Sequence, residues 1–238
     1  MDFKTTVGRR GVLLGAAALA ACQTPEKQAA PTAPRLGPGG VGYIALSGPI
    51  VNAMRDLFEA QVRRLLDLNA REIYVLLNSP GGVVSTVQDM IAFIDRTRKE
   101  RGARFTMHNA NTVASGACYL FLAGQPRFAV PRAAFLFHEA ALVTRGGALT
   151  SQVLQEESAK VQQFERQFLA MLTSKTRLTE AEASSFIRRT VILNADEARR
   201  DGIIDAIADF TLPPGATISG VRVVPRPTTR PAEPSNPR

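Results

Sequence analysis

Residues 71–82 read REIYVLLNSPGG, an apolar run that ends in a turn containing proline and two glycines. A continuous apolar run of this length predicts a strand that is buried on both faces, as the strands of a parallel sheet are. Residues 83–100 follow at once, and their apolar side chains recur at helical spacing. A buried strand that leads directly into a helix is typical of an α/β fold, so this stretch predicts the fold class of the chain.

The same alternation of strand and helix extends in both directions. Strands are predicted at 41–48 and 103–111, and helices at 51–69 and 111–124. Further along, the pattern predicts strands at 127–130 and 133–137, a long amphipathic helix at 150–172, helices at 180–188 and 195–201, and a strand at 203–206. Together these elements predict one α/β domain of repeated β-α-β units with right-handed crossovers, covering residues 41–210.

The first 21 residues predict a signal peptide. Arg9 and Arg10 precede an apolar run at 11–21 that is too short for a durable membrane span. The tetrad at 19–22, Leu-Ala-Ala-Cys, resembles a bacterial lipobox, which implies that Cys22 carries lipid after cleavage. The paired arginines leave the twin-arginine and the general export routes open, and an uncleaved anchor is the alternative to lipidation. Lipidation and an uncleaved anchor both predict a protein that is tethered to a bacterial membrane and faces the periplasm or the cell exterior. There it would be separated from cytoplasmic ATP and acyl-CoA.

Proline-rich sequence flanks the predicted domain on both sides. Residues 22–40 predict a flexible tether and residues 211–238 a disordered tail. The net charge is +8, but the basic residues are scattered and no basic patch with aromatic residues indicates nucleic acid as a partner. The net positive charge predicts only a general attraction to an anionic surface such as lipid.

Cysteine and histidine are scarce, with two of each in the chain. If Cys22 carries lipid, Cys118 has no partner for an intrachain disulfide, and its apolar neighbours predict a small buried side chain. No cluster of His, Cys, Asp and Glu has the spacing of metal ligands. We therefore expect neither a metal nor a cofactor.

Residues 111–124 read NTVASGACYLFLAG and place a single serine in front of an apolar segment. A helix of this composition must be buried, so Ser115 is expected at a helix N-terminus inside the protein. One interpretation is a helix cap, in which the hydroxyl oxygen accepts a backbone N–H. The other is a nucleophile that lies beside unpaired backbone donors. The stretch taken alone favours the cap.

Three chemically useful features fall at predicted strand ends, where open α/β sheets bind ligands. Gly81 and Gly82 follow the strand at 71–79, Ser115 follows the next strand, and His138 follows the strand at 133–137. His108 lies within a strand and is expected to be an ordinary polar neighbour. No Asp or Glu lies between Ser115 and His138, which excludes the Ser, acid, His order of the α/β-hydrolases.

The segments LLNSPGGVV, VASGACYLFLAG and RFAVPRAAFLFHEA, in this order, resemble the proteolytic subunit of the Clp protease, a serine peptidase of the ClpP/crotonase superfamily. The resemblance covers nearly all of residues 41–209 and implies a ClpP/crotonase-like fold with a long protruding helix. It implies that Ser115 is the nucleophile and His138 its general base. The backbone N–H groups of Gly82 and Gly116 would hold the oxyanion. It also implies peptide or protein substrates and assembly into a homo-oligomer.

One catalytic position departs from the pattern of this family. Where the family has its aspartate, this sequence has Thr190, which can accept a hydrogen bond but supplies no negative charge. Glu139 and Asp196 are alternative carboxylates. A Ser–Lys dyad is a further option, although the chain after Cys22 offers only four lysines, at positions 27, 99, 160 and 175.

The sequence therefore predicts a membrane-tethered serine hydrolase, most simply a peptidase, that works without ATP through an acyl-enzyme. A weakly active or inactive member of the same fold, binding peptides or partner proteins in its cleft, is the main alternative. A crotonase-type enzyme acting on acyl-CoA is the third, and export from the cytoplasm argues against it.

Overall fold

The computed structural model describes residues 33–140 and 150–222. The predicted α/β class is confirmed. After a single 3₁₀ turn at Pro38–Gly40, the elements are β1 (Val41–Ser47), α1 (Asn52–Asp67), β2 (Glu72–Ser79), α2 (Val84–Arg101), β3 (Arg104–Ala114), α3 (Gly116–Leu122), β4 (Arg127–Ala129), β5 (Ala134–Phe137), α4 (Ser151–Lys175), α5 (Glu180–Arg188), β6 (Val191–Asn194), α6 (Ala195–Arg200), β7 (Ala206–Ile207) and β8 (Ile218–Arg222).

The strands form one sheet in the order β6-β5-β3-β2-β1-β8, and β4 pairs with both β3 and β7. All pairs are parallel except β5 with β6. β3 changes partner along its length, since residues 107–109 pair with β4 and residues 112–114 pair with β5. The carboxyl ends of β2, β3 and β5 therefore meet at one edge of the sheet.

The two faces of the sheet are covered differently. Side chains alternate along β2, so that Ile73, Val75 and Leu77 are fully buried in the main core. Their neighbours on the other face are only partly buried, which corrects the expectation of a strand covered equally on both sides. That second face carries an aromatic cluster closed by a residue of the C-terminal segment, and its members are Tyr43, Tyr74, His108, Phe128 and Phe210.

Several predicted boundaries differ from the structure. The segment 111–124 was expected to be helical throughout, but β3 continues to Ala114 and α3 begins at Gly116. Pairing of Thr112 and Val113 with β5 keeps these residues extended, and both are β-branched. The strand expected at 203–206 is reduced to Ala206–Ile207, because Ile203 and Ile204 are buried in the turn that precedes it.

Parts of the predicted tether and tail belong to the folded unit. The backbone N–H of Arg35 donates to Oγ1 of Thr217 at 2.7 Å, and the N–H of Thr217 donates to the carbonyl oxygen of Arg35 at 3.0 Å. β8 then pairs with β1, so a disordered tail starting at 211 was placed too early. The partner strand, β1, lies far away in the sequence, and its hydrogen bonds hold β8 extended within a proline-rich segment. The predicted signal peptide, with Cys22, lies outside the described residues.

α4 is the longest element and is unevenly covered. From its start at Ser151 its side chains are largely exposed, and the first buried residue of the helix is Phe164. The helix also runs three residues past its predicted end at 172. Within the ranges 33–140 and 150–222, no helix has the length and apolar character that crossing a membrane requires.

Candidate active site

A cavity of about 170 Å³ lies at the carboxyl ends of β2, β3 and β5. Its lining includes four of the five residues predicted to form a catalytic centre, Gly82, Ser115, Gly116 and His138, but not the fifth, Thr190. The rest of the lining is apolar and consists of Val84, Ala140, Phe164 and Phe168. Sequence reasoning did not assign these apolar residues to the site, although the spacing of Phe164 and Phe168 places both on one face of α4.

Ser115 has an unusual backbone conformation. Its φ is 57° and its ψ is −131°, a combination that L-residues rarely adopt. Its N–H donates to the carbonyl oxygen of Leu136 at 2.8 Å, and its own carbonyl accepts the N–H of Cys118 at 2.9 Å. Its side chain makes no capping hydrogen bond to α3, so the interpretation of Ser115 as a helix cap is wrong. The strained backbone turns a half-buried hydroxyl toward the cavity that it lines.

The turn after β2 packs closely against Ser115. Gly81 has a φ of 93°, and a Cβ at this position would lie 2.7 Å from both the carbonyl oxygen of Ala114 and the Cβ of Ser115. Only glycine allows so close an approach. Ile50 fixes the turn from the other side, since its N–H donates to Gly81 at 2.8 Å and its carbonyl accepts from Val83 at 2.9 Å.

Gly82 and Gly116 bring two backbone amides together. A Cβ on Gly116 would lie 3.9 Å from the amide nitrogen of Gly82, so the two chains run side by side at the cavity wall. Among the hydrogen bonds of the described residues, neither N–H has an acceptor. Two unpaired donors next to a serine form an arrangement that can hold a negatively charged oxygen.

His138 is oriented by a backbone group. Its Nδ1 lies 2.7 Å from the carbonyl oxygen of Glu139. A carbonyl oxygen can only accept, so Nδ1 carries the proton and, in the neutral ring, Nε2 is the free acceptor. The ring is half-buried and lines the same cavity as Ser115. The arrangement can therefore supply a base whose tautomer is fixed without an aspartate.

Thr190 lies beside the histidine, but no hydrogen bond joins it to the ring among the described residues. Phe137 pairs with Val191 in the antiparallel β5–β6 ladder, so His138 and Thr190 are the next residues in the same register. Thr190 is exposed, and it has no hydrogen bond among the described residues. Glu139, a candidate carboxylate, contributes its backbone carbonyl instead of its side chain.

The other candidates for an acid or a base lie elsewhere. Asp196 pairs with Arg199 in the first turn of α6. Lys160 pairs with Glu157, and neither it, Lys99 nor Lys175 lines the cavity. Lys27 falls outside the described residues. Nothing in the described part of the chain thus favours a Ser–Lys dyad.

The carboxylates of Glu139 and Glu165 are close enough for their charges to influence each other. Glu165 follows Phe164 on α4 and is half-buried. Burial and the neighbouring charge of Glu139 raise the pKa of Glu165, and the charge of Arg188 partly opposes the shift. Glu165 lines a separate groove together with Arg166 and Arg188, and neither carboxylate lines the cavity that holds Ser115.

Cys118 and His108, the remaining reactive side chains, are structural. Cys118 is fully buried behind Ser115, and burial raises the pKa of its thiol, which donates to the carbonyl oxygen of Val113 at 3.3 Å. His108 is buried in the aromatic cluster on the other face of the sheet, with Nδ1 2.6 Å from Oη of Tyr74. Burial raises the pKa of Tyr74 to about 12, so its hydroxyl stays protonated. Across residues 33–140 and 150–222 no group of three potential metal ligands occurs.

Comparisons with a family model and with individual proteins point to the same family. The model of the Clp protease family matches residues 41–211. The chain is 30% identical over 153 residues to the ATP-dependent Clp protease proteolytic subunit of Chlorella vulgaris, covering 60% of this chain and 71% of that protein. It is 31% identical over 144 residues to the ATP-dependent Clp protease proteolytic subunit 1 of Rhodococcus jostii strain RHA1, covering 59% of this chain and 62% of that protein.

Proposed function

Since the chain belongs to the Clp protease family, a family of peptidases, we propose that it is a serine peptidase that cleaves peptide bonds through an acyl-enzyme on Ser115. One observation carries the proposal. A strained serine, two amides without an acceptor among the described residues, and a histidine with a fixed tautomer line a single cavity of about 170 Å³. These are the three parts that acyl transfer requires: a nucleophile, a base and donors for the oxyanion.

In the proposed first step, Oγ of Ser115 attacks the carbonyl carbon of the substrate and its proton passes to Nε2 of His138. Nδ1–H remains hydrogen-bonded to the carbonyl of Glu139, which keeps the ring in the accepting orientation. The oxygen that becomes negative is held by the N–H groups of Gly82 and Gly116.

The proton then moves from Nε2 to the leaving amine, the C–N bond breaks, and the acyl group stays on Ser115. Water attacks this ester with His138 again as base, and the acid product leaves. Every step uses groups of the chain itself together with water, so the chemistry needs no ATP.

We expect the absence of a carboxylate at position 190 to lower the rate of peptide hydrolysis. Replacing the aspartate of a Ser-His-Asp triad by asparagine lowers turnover about 10⁴-fold, mainly because the histidine takes the wrong tautomer. The carbonyl of Glu139 prevents the wrong tautomer, but it stabilises the imidazolium with a dipole and not with a full negative charge. We therefore expect slow but real catalysis.

The same absence favours a second function, a cleft that binds peptides without cleaving them. A fluorophosphonate probe separates the two, because it labels a serine only when the base and the oxyanion donors are in place. The peptidase proposal expects labelling of the full chain, none in Ser115→Ala and very little in His138→Ala. Absence of labelling in the wild-type chain, with peptide binding retained, would support the binding function.

We further propose that the protein is tethered to a membrane through lipid on Cys22 and forms a homo-oligomer. The lipobox-like sequence supports the first point, and the largely exposed first half of α4 supports the second. Incorporation of radiolabelled fatty acid in the wild-type chain and its loss in Cys22→Ser would test the tether. Sedimentation of the detergent-solubilised protein would test the assembly, with a purely monomeric species contradicting it.

A further inference from the structure

The chain enters the folded unit at the edge of the sheet opposite the cavity. Strands β1, β2 and β3 are parallel, so their amino ends share one edge, whereas the cavity lies at the carboxyl ends of β2, β3 and β5. The N–H of Arg71 donates to the carbonyl oxygen of Gly40 at 2.9 Å, and the N–H of Arg104 donates to that of Arg71 at 3.0 Å. The segment that leads into β1 therefore ends beside the starts of β2 and β3.

The starts of β2 and β3, with the last two turns of α1 and α2, form a surface that we call the amino edge, and it is rich in positive charge. Three of its arginines are paired with carboxylates: Arg63 with Glu59, Arg98 with Asp95 and Arg104 with Glu72. Five further exposed cations form no ion pair within residues 33–140 and 150–222: Arg64, Arg71, Arg96, Lys99 and Arg101. Two exposed carboxylates, Asp67 and Glu100, lie among them, so the amino edge carries an excess of positive charge.

This charge does more than offset the helix dipoles. A basic residue compensates the dipole when it lies in the last turn of a helix, but Arg96 lies earlier in α2 and Arg71 lies outside any helix. At the opposite end of α1 the balance is reversed, since Arg55 in its first turn is shared by the carboxylates of Asp56 and Asp89. Along α1 and α2, the excess of positive charge thus lies at the ends away from the cavity.

The amino edge also has the groups that recognise a phospholipid headgroup. A groove of about 130 Å³ between α1 and α2 is lined by three guanidinium groups and one carboxylate: Arg63, Arg96, Arg101 and Glu100. Guanidinium groups bind phosphate oxygens through paired N–H donors. Leu68, the C-cap residue of α1, is 44% exposed at the same edge. Cations next to an exposed apolar side chain favour binding to the interface of an anionic bilayer.

We propose that the amino edge rests on an anionic phospholipid bilayer, so that the cavity with Ser115 lies on the side away from the membrane. The proposal rests on the proposed lipid on Cys22 only for keeping the bilayer near. Ten residues lie between Cys22 and Ala33, the first described residue, and the chain between these two spans at most about 40 Å. Since β2 alone is about 26 Å long, at ~3.3 Å for each of its eight residues, the cavity stands well above the headgroups. Its substrates are then soluble peptides, not segments inserted in the bilayer.

Fluorescence quenching in the full chain tests this orientation without relying on catalysis. The chain is reconstituted into vesicles of phosphatidylcholine, with or without about one third phosphatidylglycerol, that contain a lipid with a nitroxide on its headgroup. A genetically encoded fluorescent amino acid replaces Leu68, and the matched control carries it at Val83, which is 50% exposed in the turn at the opposite edge. We expect the nitroxide to quench the probe at 68 in the anionic vesicles and the probe at 83 in neither kind of vesicle.

Charge variants test whether the cations hold the amino edge on the lipid. One cation at an anionic surface favours binding about five-fold, or by ~1 kcal/mol. The double variant Arg71→Gln/Lys99→Gln should therefore lower the ratio of quenched to unquenched probe at 68 about 25-fold in the anionic vesicles. The control Arg132→Gln/Arg166→Gln removes the same charge from exposed positions outside the amino edge and should leave the quenching unchanged.

The outcomes separate this inference from the proposed tether. Quenching at 68 in a chain that binds the anionic but not the neutral vesicles would support the inference and contradict the tether. A chain bound to both kinds of vesicle, with equal quenching at 68 and 83 or with none at either position, would overturn the inference and leave the tether standing. Quenching at 68 that persists in Arg71→Gln/Lys99→Gln would also overturn it, and a chain that binds neither kind of vesicle would overturn both.

Discussion

Replacement of Thr190 by aspartate should increase the activity of this protein. Thr190 and His138 are opposite each other in the continued β5–β6 register, where side chains of paired residues lie about 5 Å apart. A carboxylate at 190 can therefore approach the ring. It would add a full charge where Thr190 now makes no hydrogen bond among the described residues.

The expected increase in activity comes only from the negative charge of the new carboxylate, because the carbonyl of Glu139 already sets the tautomer of His138. Two opposite charges 4 Å apart attract by about 4 kcal/mol at an effective dielectric constant of 20. The exposure of position 190 reduces this to ~0.5–1 kcal/mol. Since ~1.4 kcal/mol corresponds to ten-fold, kcat/KM should rise about two- to five-fold in Thr190→Asp.

The assay is hydrolysis of a fluorogenic peptide without ATP, with the labelling rate at Ser115 as a second readout. Thr190→Asn is the control, because it has the shape of aspartate without its charge. The acidic limb of the pH–rate profile should also move to higher pH in Thr190→Asp, since a neighbouring carboxylate favours the protonated ring. Equal rates in Thr190→Asp and Thr190→Asn would refute the proposed geometry of ring and residue 190.

Three further changes test the structure behind the site. Ser115→Gly should abolish labelling yet raise the free energy of unfolding by about 1 kcal/mol in urea titrations, because glycine adopts a φ of 57° without strain. Burial lowers the pKa of His108 below its ordinary value, so the folded state resists protonation and thermal stability should fall as the pH drops below about 6.5, but much less in His108→Gln. Arg127→Ala should lower the free energy of unfolding by ~2–3 kcal/mol, because the buried guanidinium donates to the carbonyls of Lys175 and Gly202.

Each of these changes has an outcome that would contradict it. A destabilised Ser115→Gly would mean that the serine backbone is not strained. An unchanged pH dependence in His108→Gln would assign that dependence to other groups. Arg127→Ala is compared with Arg101→Ala at an exposed position, and equal stabilities of the two would show that the buried hydrogen bonds contribute little.

The family and the fold class could be predicted from the sequence because their signals are local. The apolar run of β2, the turn at Gly81 and the periodicity of α2 lie within thirty consecutive residues. Three motifs in order then identified the Clp protease family, which the match over residues 41–211 confirms. The helix bounds of α5 were predicted without error, because Thr179 and Glu182 form a capping box at its start.

The features that were missed depend on partners distant in the chain. β8 is a five-residue strand in proline-rich sequence, and it exists because β1, about 175 positions earlier, offers a free edge. The partner of the His138 ring is a backbone carbonyl, which any residue type at 139 would supply. No pattern of residue types can reveal a contact of this kind.

The backbone of Ser115 favours the proposed peptidase over the peptide-binding alternative, and this argument is stronger than the opposite one from the missing aspartate. Its conformation costs on the order of 1–3 kcal/mol, and a protein keeps such strain where the surrounding structure and its function require it. A cleft that only binds peptides needs neither the strained serine nor two unpaired amides beside it. Loss of the carboxylate at 190 removes charge from the imidazolium, but it leaves the nucleophile, the tautomer of the base and the oxyanion donors in place. The parts that remain are those that acyl transfer requires, so we expect the absent carboxylate to lower the rate of the proposed reaction without abolishing it.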